Sequence, residues 1–203
     1  MADTEKNIEL ELRAEVSVAQ LEKLSSYLSK EAKLISTSKR LSVMFLGKTD
    51  LSDLDIRVRI DSHQKTEMVV KKGDFHADNR IEISQKIQKD QFVGMVKFLS
   101  IFGFKSKVTE RENTLFDLGN GVQLVLVKAG DIAYVEIEKM SNSSDIDSNR
   151  LELLKIISEL KLTLVKDGPE FYELCDRLTK YSDWQFDSSV ESVNKLEGLL
   201  AGY

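Results

Sequence analysis

Apolar and polar residues alternate with a period of two through "IELELRAEV". The alternation predicts a strand over about residues 7 to 16, with Ile8, Leu10, Leu12 and Ala14 on one face and Glu9, Glu11, Arg13 and Glu15 on the other. The period then lengthens. In "SVAQLEKLSSYLSKEAKL", Val18, Leu21, Leu24, Tyr27 and Leu28 recur at helical spacing behind Ser17, an N-cap residue. Four alternating stretches follow, "RLSVMFLG", "LDIRVRID", "TEMVVKKG" and "RIEISQKI", divided by polar breaks; they predict an antiparallel meander. Phe92, Met95, Val96, Leu99 and Phe102 predict a second helix that stops at Gly103. Strand spacing returns in "KSKVTERENTLFDLG", "GVQLVLVKAG" and "DIAYVEIEKM", the last two joined by a tight "KAGD" turn. After Met140 a polar linker leads to an amphipathic helix capped by Asp147 or Ser148, then to helices in "PEFYELCDRLTKY", with Pro169 in its first turn, and "SSVESVNKLEGLL". The pattern predicts an α+β fold in which seven or eight antiparallel strands curl on themselves, with flanking helices and a helical C-terminal segment.

Composition narrows the class. Of 203 residues, 41% are hydrophobic and 31% charged, enough for one sizeable folded domain. No apolar run approaches the roughly 18 residues of a membrane span, and "MADTEKNIEL" has no apolar core, so neither membrane insertion nor a secretion signal is expected and the expected location is cytoplasmic. One cysteine, Cys175, and two histidines, His63 and His76, exclude an internal disulfide and a cysteine–histidine zinc cluster. Cys175 reads as a small apolar filler and both histidines as solvated turn residues. A net charge of −5 argues against non-specific nucleic-acid binding.

The two-faced design recurs on five strands. Arg57 and Arg59 lie opposite Ile56, Val58 and Ile60; Arg80 and Glu82 opposite Ile81 and Ile83; Glu136 and Glu138 opposite Val135 and Ile137; and Lys71 and Lys72 point opposite ways. A sheet with one wet face gives the same alternation. Against that stands the choice of residue: "ELE" and "EIE" place glutamate, a poor strand former, at successive same-face positions. Two carboxylates about 6.6 Å apart repel by roughly 2 to 3 kcal/mol at an effective dielectric near 20, a sign that a divalent cation would reverse. If the sheet closes with these faces inside, Glu9, Glu11, Glu136 and Glu138 form a hard oxygen donor set suited to Mg²⁺ or Mn²⁺, and the arginines form an anion clamp.

These blocks resemble, in order, the motifs of the CYTH, or triphosphate tunnel metalloenzyme, family. Glu9-Leu-Glu11-Leu-Arg13 is similar to ExExK, Arg57-Val-Arg59 to LRxR, Lys72 before Gly73 to the K-G/P strand, and Arg80-Ile-Glu82 to RxExE. Arg111 is similar to the arginine of a KxR element, "VEIE" to the closing EIE, and "FYELC" to the SYxELL helix. The resemblance covers about residues 7 to 178 and implies a closed eight-stranded antiparallel tunnel with the charges inside, over residues 1 to 180, followed by a helical extension over 181 to 203 that packs on the barrel. It implies metal coordination by Glu9, Glu11, Glu136 and Glu138, a catalytic contribution from Arg13 and Glu82, and triphosphate binding by Arg13, Arg57, Arg59, Lys72, Arg80, Lys107 and Arg111. Lys71 is then expected to face outward. A metal-activated water would attack the terminal phosphorus.

Four departures stand out. Arg13 replaces the signature lysine, Ser84 the second glutamate of RxExE, and Glu110 a basic neighbour of Arg111; no aspartate precedes EIE in "VQLVLVKAGD" unless Asp131 serves. The implied function is a triphosphatase acting on inorganic triphosphate or a triphosphorylated small molecule. The alternatives are a class IV adenylyl cyclase making cyclic AMP, and a non-catalytic triphosphate or polyphosphate binder. Homodimers are common in the family.

Overall fold

The computed structural model describes residues 8–74, 79–166 and 168–203; His76 lies outside them. Strand β1 (Ile8–Val16) leads into α1 (Val18–Glu31), whose first turn is closed by a reciprocal capping box between Ser17 and Gln20. The meander comprises β2 (Lys33–Lys48), β3 (Asp53–Asp61), β4 (Thr66–Lys72) and β5 (Asn79–Lys86). After α2 (Phe92–Ser100) come β6 (Lys105–Gly119), β7 (Val122–Ala129) and β8 (Ile132–Ser141). The chain ends with α3 (Ile146–Glu159), α4 (Pro169–Tyr181), the two-residue β9 (Trp184–Gln185) and α5 (Val190–Leu200).

All pairings are antiparallel. The strand order β2-β3-β4-β5-β1-β8-β7-β6 closes on itself through β2–β6, so eight strands form a barrel, and β9 adds to β6 at Lys107 and Val108. The shortest seam of the barrel among the described residues lies between β1 and β5, which pair from Ile8 opposite Ile81 to Leu10 opposite Asn79. Several local features differ from the sequence reading. The first helix ends at Glu31, and β2 begins at Lys33, well before "RLSVMFLG", because its N-terminal half pairs with β6 from Asp117 inward. The N-cap of α3 is Asp145, held in a turn by the Asn142 side chain. Two residues are too few for β9 to show a periodicity.

The apolar faces of the strands point outward, under the helices. Leu10, Leu12 and Ala14 of β1 pack with Leu124, Val135 and Ile137 against Leu21 and Leu28 of α1 and Leu153 and Ile157 of α3. On the other side Leu41, Val43, Phe45, Val58 and Ile60 pack against Phe92 and Val96 of α2 and Leu196 of α5. Each such fully buried side chain contributes about 1.5–3 kcal/mol, so turning these faces inward would forfeit most of the core. The polar parity is therefore forced into the barrel.

One close approach seals the second layer. A Cβ on Gly47 would lie 2.5 Å from the Phe104 ring. Gly47→Ala is expected to cost about 1–3 kcal/mol by overpacking, read as a lower urea midpoint at unchanged slope; an unchanged midpoint would show that Phe104 yields freely.

Candidate active site in the barrel interior

Direct cross-strand partners share a face, so the register identifies the lining. Glu11 lies opposite Glu138 and Arg13 opposite Glu136 on β1–β8, while Glu9 lies opposite Arg80 on β1–β5. Asp55 pairs with Lys71 and Arg59 with Glu67 on β3–β4, and Lys71 with Glu82 on β4–β5. The charged face of "IELELRAEV" thus looks into the barrel as far as Arg13. Glu15 is exposed and contacts Arg177 of α4.

The interior is a web of ion pairs. Lys71 Nζ touches Glu9 and lies 2.9 Å from Glu82 and 3.5 Å from Glu11. Arg13 contacts Glu11, with Glu136 3.3 Å away, and its guanidinium carbon lies 5.1 Å from the centre of the Phe171 ring. Asp55, 2% exposed, accepts from Arg57 Nε at 2.9 Å and sits 3.6 Å from Arg80. Glu67 accepts from Arg59 Nε at 2.8 Å.

The expected orientation of the two lysines is reversed. Lys71 is buried in the barrel, whereas Lys72 is exposed and pairs with the outward Leu54 and Ile81. "TEMVVKK" carries apolar residues on both parities, so alternation could not orient it. Val69, fully buried, takes the inner side and carries Lys71 with it. Lys72 is therefore not a tunnel contact.

Lys107 and Arg111 of β6 also face inward. Both meet Asp183, whose side chain is 0% exposed, at 3.0 and 2.7 Å. Asp183 belongs to the connector between α4 and β9, and α4 itself closes this end: Leu174 and Leu178 pack on the inner-face residues Val125, Val127 and Ala129. Glu110, one residue from Arg111, points out and accepts from the Tyr203 hydroxyl at 3.1 Å. Ser84 is exposed. Asp131 is exposed in the β7–β8 turn, where it lines a shallow cleft with Glu15 and Arg177. His63 is exposed in the β3–β4 turn, its ring 3.0 Å from the Thr37 carbonyl.

Electrostatics divides the carboxylates. Burial, reinforced by Glu9, Glu11 and Glu136, pushes Glu138 up to about 8. Burial and Glu11 raise Glu9 to about 6. Burial would raise Glu11 too, but Arg13, Lys71 and Arg80 outweigh it and hold Glu11 well below the usual range. Glu136 is raised by burial and by Glu11, with which it shares a hydrogen bond. Four hard oxygen donors on adjacent strands, three of them held up by burial and acidic neighbours, fit a divalent cation in kind. Among the described residues, no group of three or more acidic, histidine or cysteine side chains is arranged to hold a metal ion, and the Lys71 ammonium sits among Glu9, Glu11 and Glu82.

Five interior residues were not singled out from sequence, Arg40, Asp55, Glu67, Tyr134 and Asp183, whereas Lys71 was expected to face outward. Asp55 and Arg40 were readable, since Asp55 shares the parity of Arg57 and Arg59, and Arg40 lies opposite Leu41, Val43 and Phe45. Tyr134 shares the parity of Glu136 in the same way. Asp183 carried no signal, because a connector has no periodicity.

No family model matches the sequence, and no curated protein matches it. Solved structures do. A Pyrococcus horikoshii protein, PH1819, superposes with a TM-score of 0.63 at 21% identity, over 84% of this chain and 99% of that one. A Vibrio parahaemolyticus protein provisionally named an adenylate cyclase gives 0.64 at 12% identity, over 84% of this chain and 99% of that one. A Hippeastrum protein, described as revealing a dominant triphosphatase activity, gives 0.50 at 15% identity, over 83% of this chain and 95% of that one. Closed topology, inward charges and these likenesses agree: the chain has the triphosphate tunnel fold of the CYTH-type proteins.

Proposed function

We propose that this chain is a divalent-metal-dependent triphosphatase that cleaves the terminal phosphoryl group of inorganic triphosphate or of a triphosphorylated small molecule. The observation that carries the reading is the acidic wall of β1 and β8 within electrostatic reach of the guanidiniums of Arg40 and Arg57, inside one closed barrel. Bound by Glu9, Glu11, Glu136 and Glu138, a Mg²⁺ or Mn²⁺ ion would neutralise phosphoryl oxygens and make water more acidic. The rest is work for the chain. Arg57, Arg59, Arg80 and Arg111 offer planar forks that match phosphoryl oxygens. Arg13, stacked on Phe171, and Lys71, beside Glu82, supply cations next to the acidic wall. The closed barrel and its α4 stopper limit water around the reacting phosphorus.

Orthophosphate release from inorganic triphosphate with Mg²⁺ or Mn²⁺ tests the reading. Glu136→Gln is expected to lower that rate at least about 100-fold, the order of loss on removing one group that stabilises developing charge, while the variant still binds triphosphate. Release at the wild-type rate would remove the acidic wall from the chemistry. Cyclic AMP and pyrophosphate from ATP would instead identify a cyclase. A binder without turnover is the remaining reading, although Asp55, Glu67 and Asp183, which already neutralise Arg57, Arg59 and the Lys107–Arg111 pair, oppose anion binding there. Triphosphate binding with no product under any metal would establish it.

A further inference from the structure

Among the described residues, the barrel's cations are compensated from within, with one exception. Arg13, Arg57, Arg59, Lys71, Arg80, Lys107 and Arg111 each lie within 4.0 Å of a carboxylate. Arg40, partly buried on the inner face of β2, has no hydrogen bond or ion pair from its side chain among the described residues. The register explains why. Its cross-strand neighbour on β3 is Asp61, whose carboxylate is committed to the turn, accepting from the backbone N–H groups of His63 at 2.8 Å and Lys65 at 3.0 Å. Its neighbour on β6 is Arg111, a like charge already held by Asp183. Glu136, the acid within electrostatic reach, is engaged by Arg13 and Glu11.

We infer that Arg40 is the anion seat of the barrel interior, where a phosphoryl group of the ligand docks, and that it sets ligand affinity. The choice of phosphate rests on the proposed function; the seat itself rests on the geometry. An enclosed guanidinium without a counter-ion is costly to keep, and a ligand that supplies the missing anion recovers that cost. Burial and the adjacent Arg59 lower the Arg40 pKa from the ordinary arginine value, consistent with an uncompensated charge. At the other cations an incoming phosphoryl group must compete with a resident carboxylate. At Arg40 no carboxylate among the described residues lies within ion-pair distance to compete with it.

Calorimetric titration of inorganic phosphate, pyrophosphate and triphosphate into the wild type, Arg40→Gln and Arg40→Lys tests the inference, with thermal melting of each free protein alongside. Arg40→Gln is expected to weaken triphosphate binding at least about tenfold, roughly the worth of one charge-assisted hydrogen bond. Arg40→Lys should recover part of it. Free Arg40→Gln should melt no lower than the wild type, since no carboxylate among the described residues lies within ion-pair distance of Arg40 and only the longer-range attraction of Glu136 is lost. Unchanged affinity in Arg40→Gln, a lower melting temperature or failure to fold, or no binding of any of the three anions to the wild type would each overturn the inference. The two readings separate: binding that depends on Arg40 without orthophosphate release leaves the seat and removes the triphosphatase, while release and binding undiminished in Arg40→Gln do the reverse.

Discussion

Asp55→Ala is expected to cost about 3–5 kcal/mol of stability, the range for breaking a buried ion pair by deleting one partner. The reason is what remains behind. Asp55 is 2% exposed and is the carboxylate on Arg57, with Arg80 3.6 Å away. Without it two guanidiniums inside the barrel lose the carboxylate they share, and Arg80 keeps only the already shared Glu11. Asp55→Asn should lose less, because an amide oxygen can still accept from Arg57. Urea unfolding of the three proteins measures the series. A loss below about 1 kcal/mol for Asp55→Ala would mean that water reaches Arg57 readily, as it does at surface pairs. Asp55 has the opposite profile from Arg40: one is a group whose partner the fold supplies, the other a group with no ion-pair partner among the described residues.

Without metal, the protein should lose stability as pH rises from about 4.5 to 8, and Glu138→Gln should abolish most of that loss. In the folded chain Glu138 titrates at about 8, against an ordinary 4.5, because it is buried beside Glu9, Glu11 and Glu136. A carboxyl with a raised folded pKa stabilises fully below its unfolded pKa, and that contribution fades as pH climbs through the folded value. Glu9, raised to about 6, adds a smaller loss of the same sign over a lower window. Glu11, Asp55, Glu67 and Glu82 are held below their ordinary range, although burial, the largest effect on each, opposes this; for Glu11 and Glu82 Arg13 and Lys71, and for Asp55 and Glu67 Arg57 and Arg59, lead the attractions that outweigh it. Their contributions are lost only as pH falls through those depressed values, so the stability maximum lies on the mildly acidic side of neutral. At pH 9 Glu138→Gln should exceed the wild type by about 2 kcal/mol, a discounted share of a shift worth ~1.4 kcal/mol per unit. Melting curves from pH 5 to 9.5 test this, and Mg²⁺ or Mn²⁺ should flatten the wild-type decline. A flat profile without metal would show that Glu138 is solvated.

Alternation carried most of the fold. Leu10, Leu12 and Ala14 against Glu9, Glu11 and Arg13, or Val58 and Ile60 against Arg57 and Arg59, state in the chain itself that each strand has a face for the core and a charged face. Where both parities are apolar, as at Met68, Val69 and Val70, alternation orients nothing, and the likeness of Lys72-Gly73 to the K-G/P strand pointed to the wrong lysine. Helix caps were local enough to read at Ser17 and Pro169 but missed at Asp145, where a side chain outside the helix sets the turn.

By itself, then, the sequence determined which residues share a face and, through the order of its motifs, that the charged faces belong together. Only the tertiary structure decided who pairs with whom. Asp183 reaches Lys107 and Arg111 across more than seventy residues, and Lys71 reaches Glu9 across 62. Such contacts exist only because β2 and β6 close the barrel, and closure is a property of all eight strands at once. A strand's period says which way a charge points; the distance to its counter-ion, and hence whether it is free for a ligand, depends on the wall it faces.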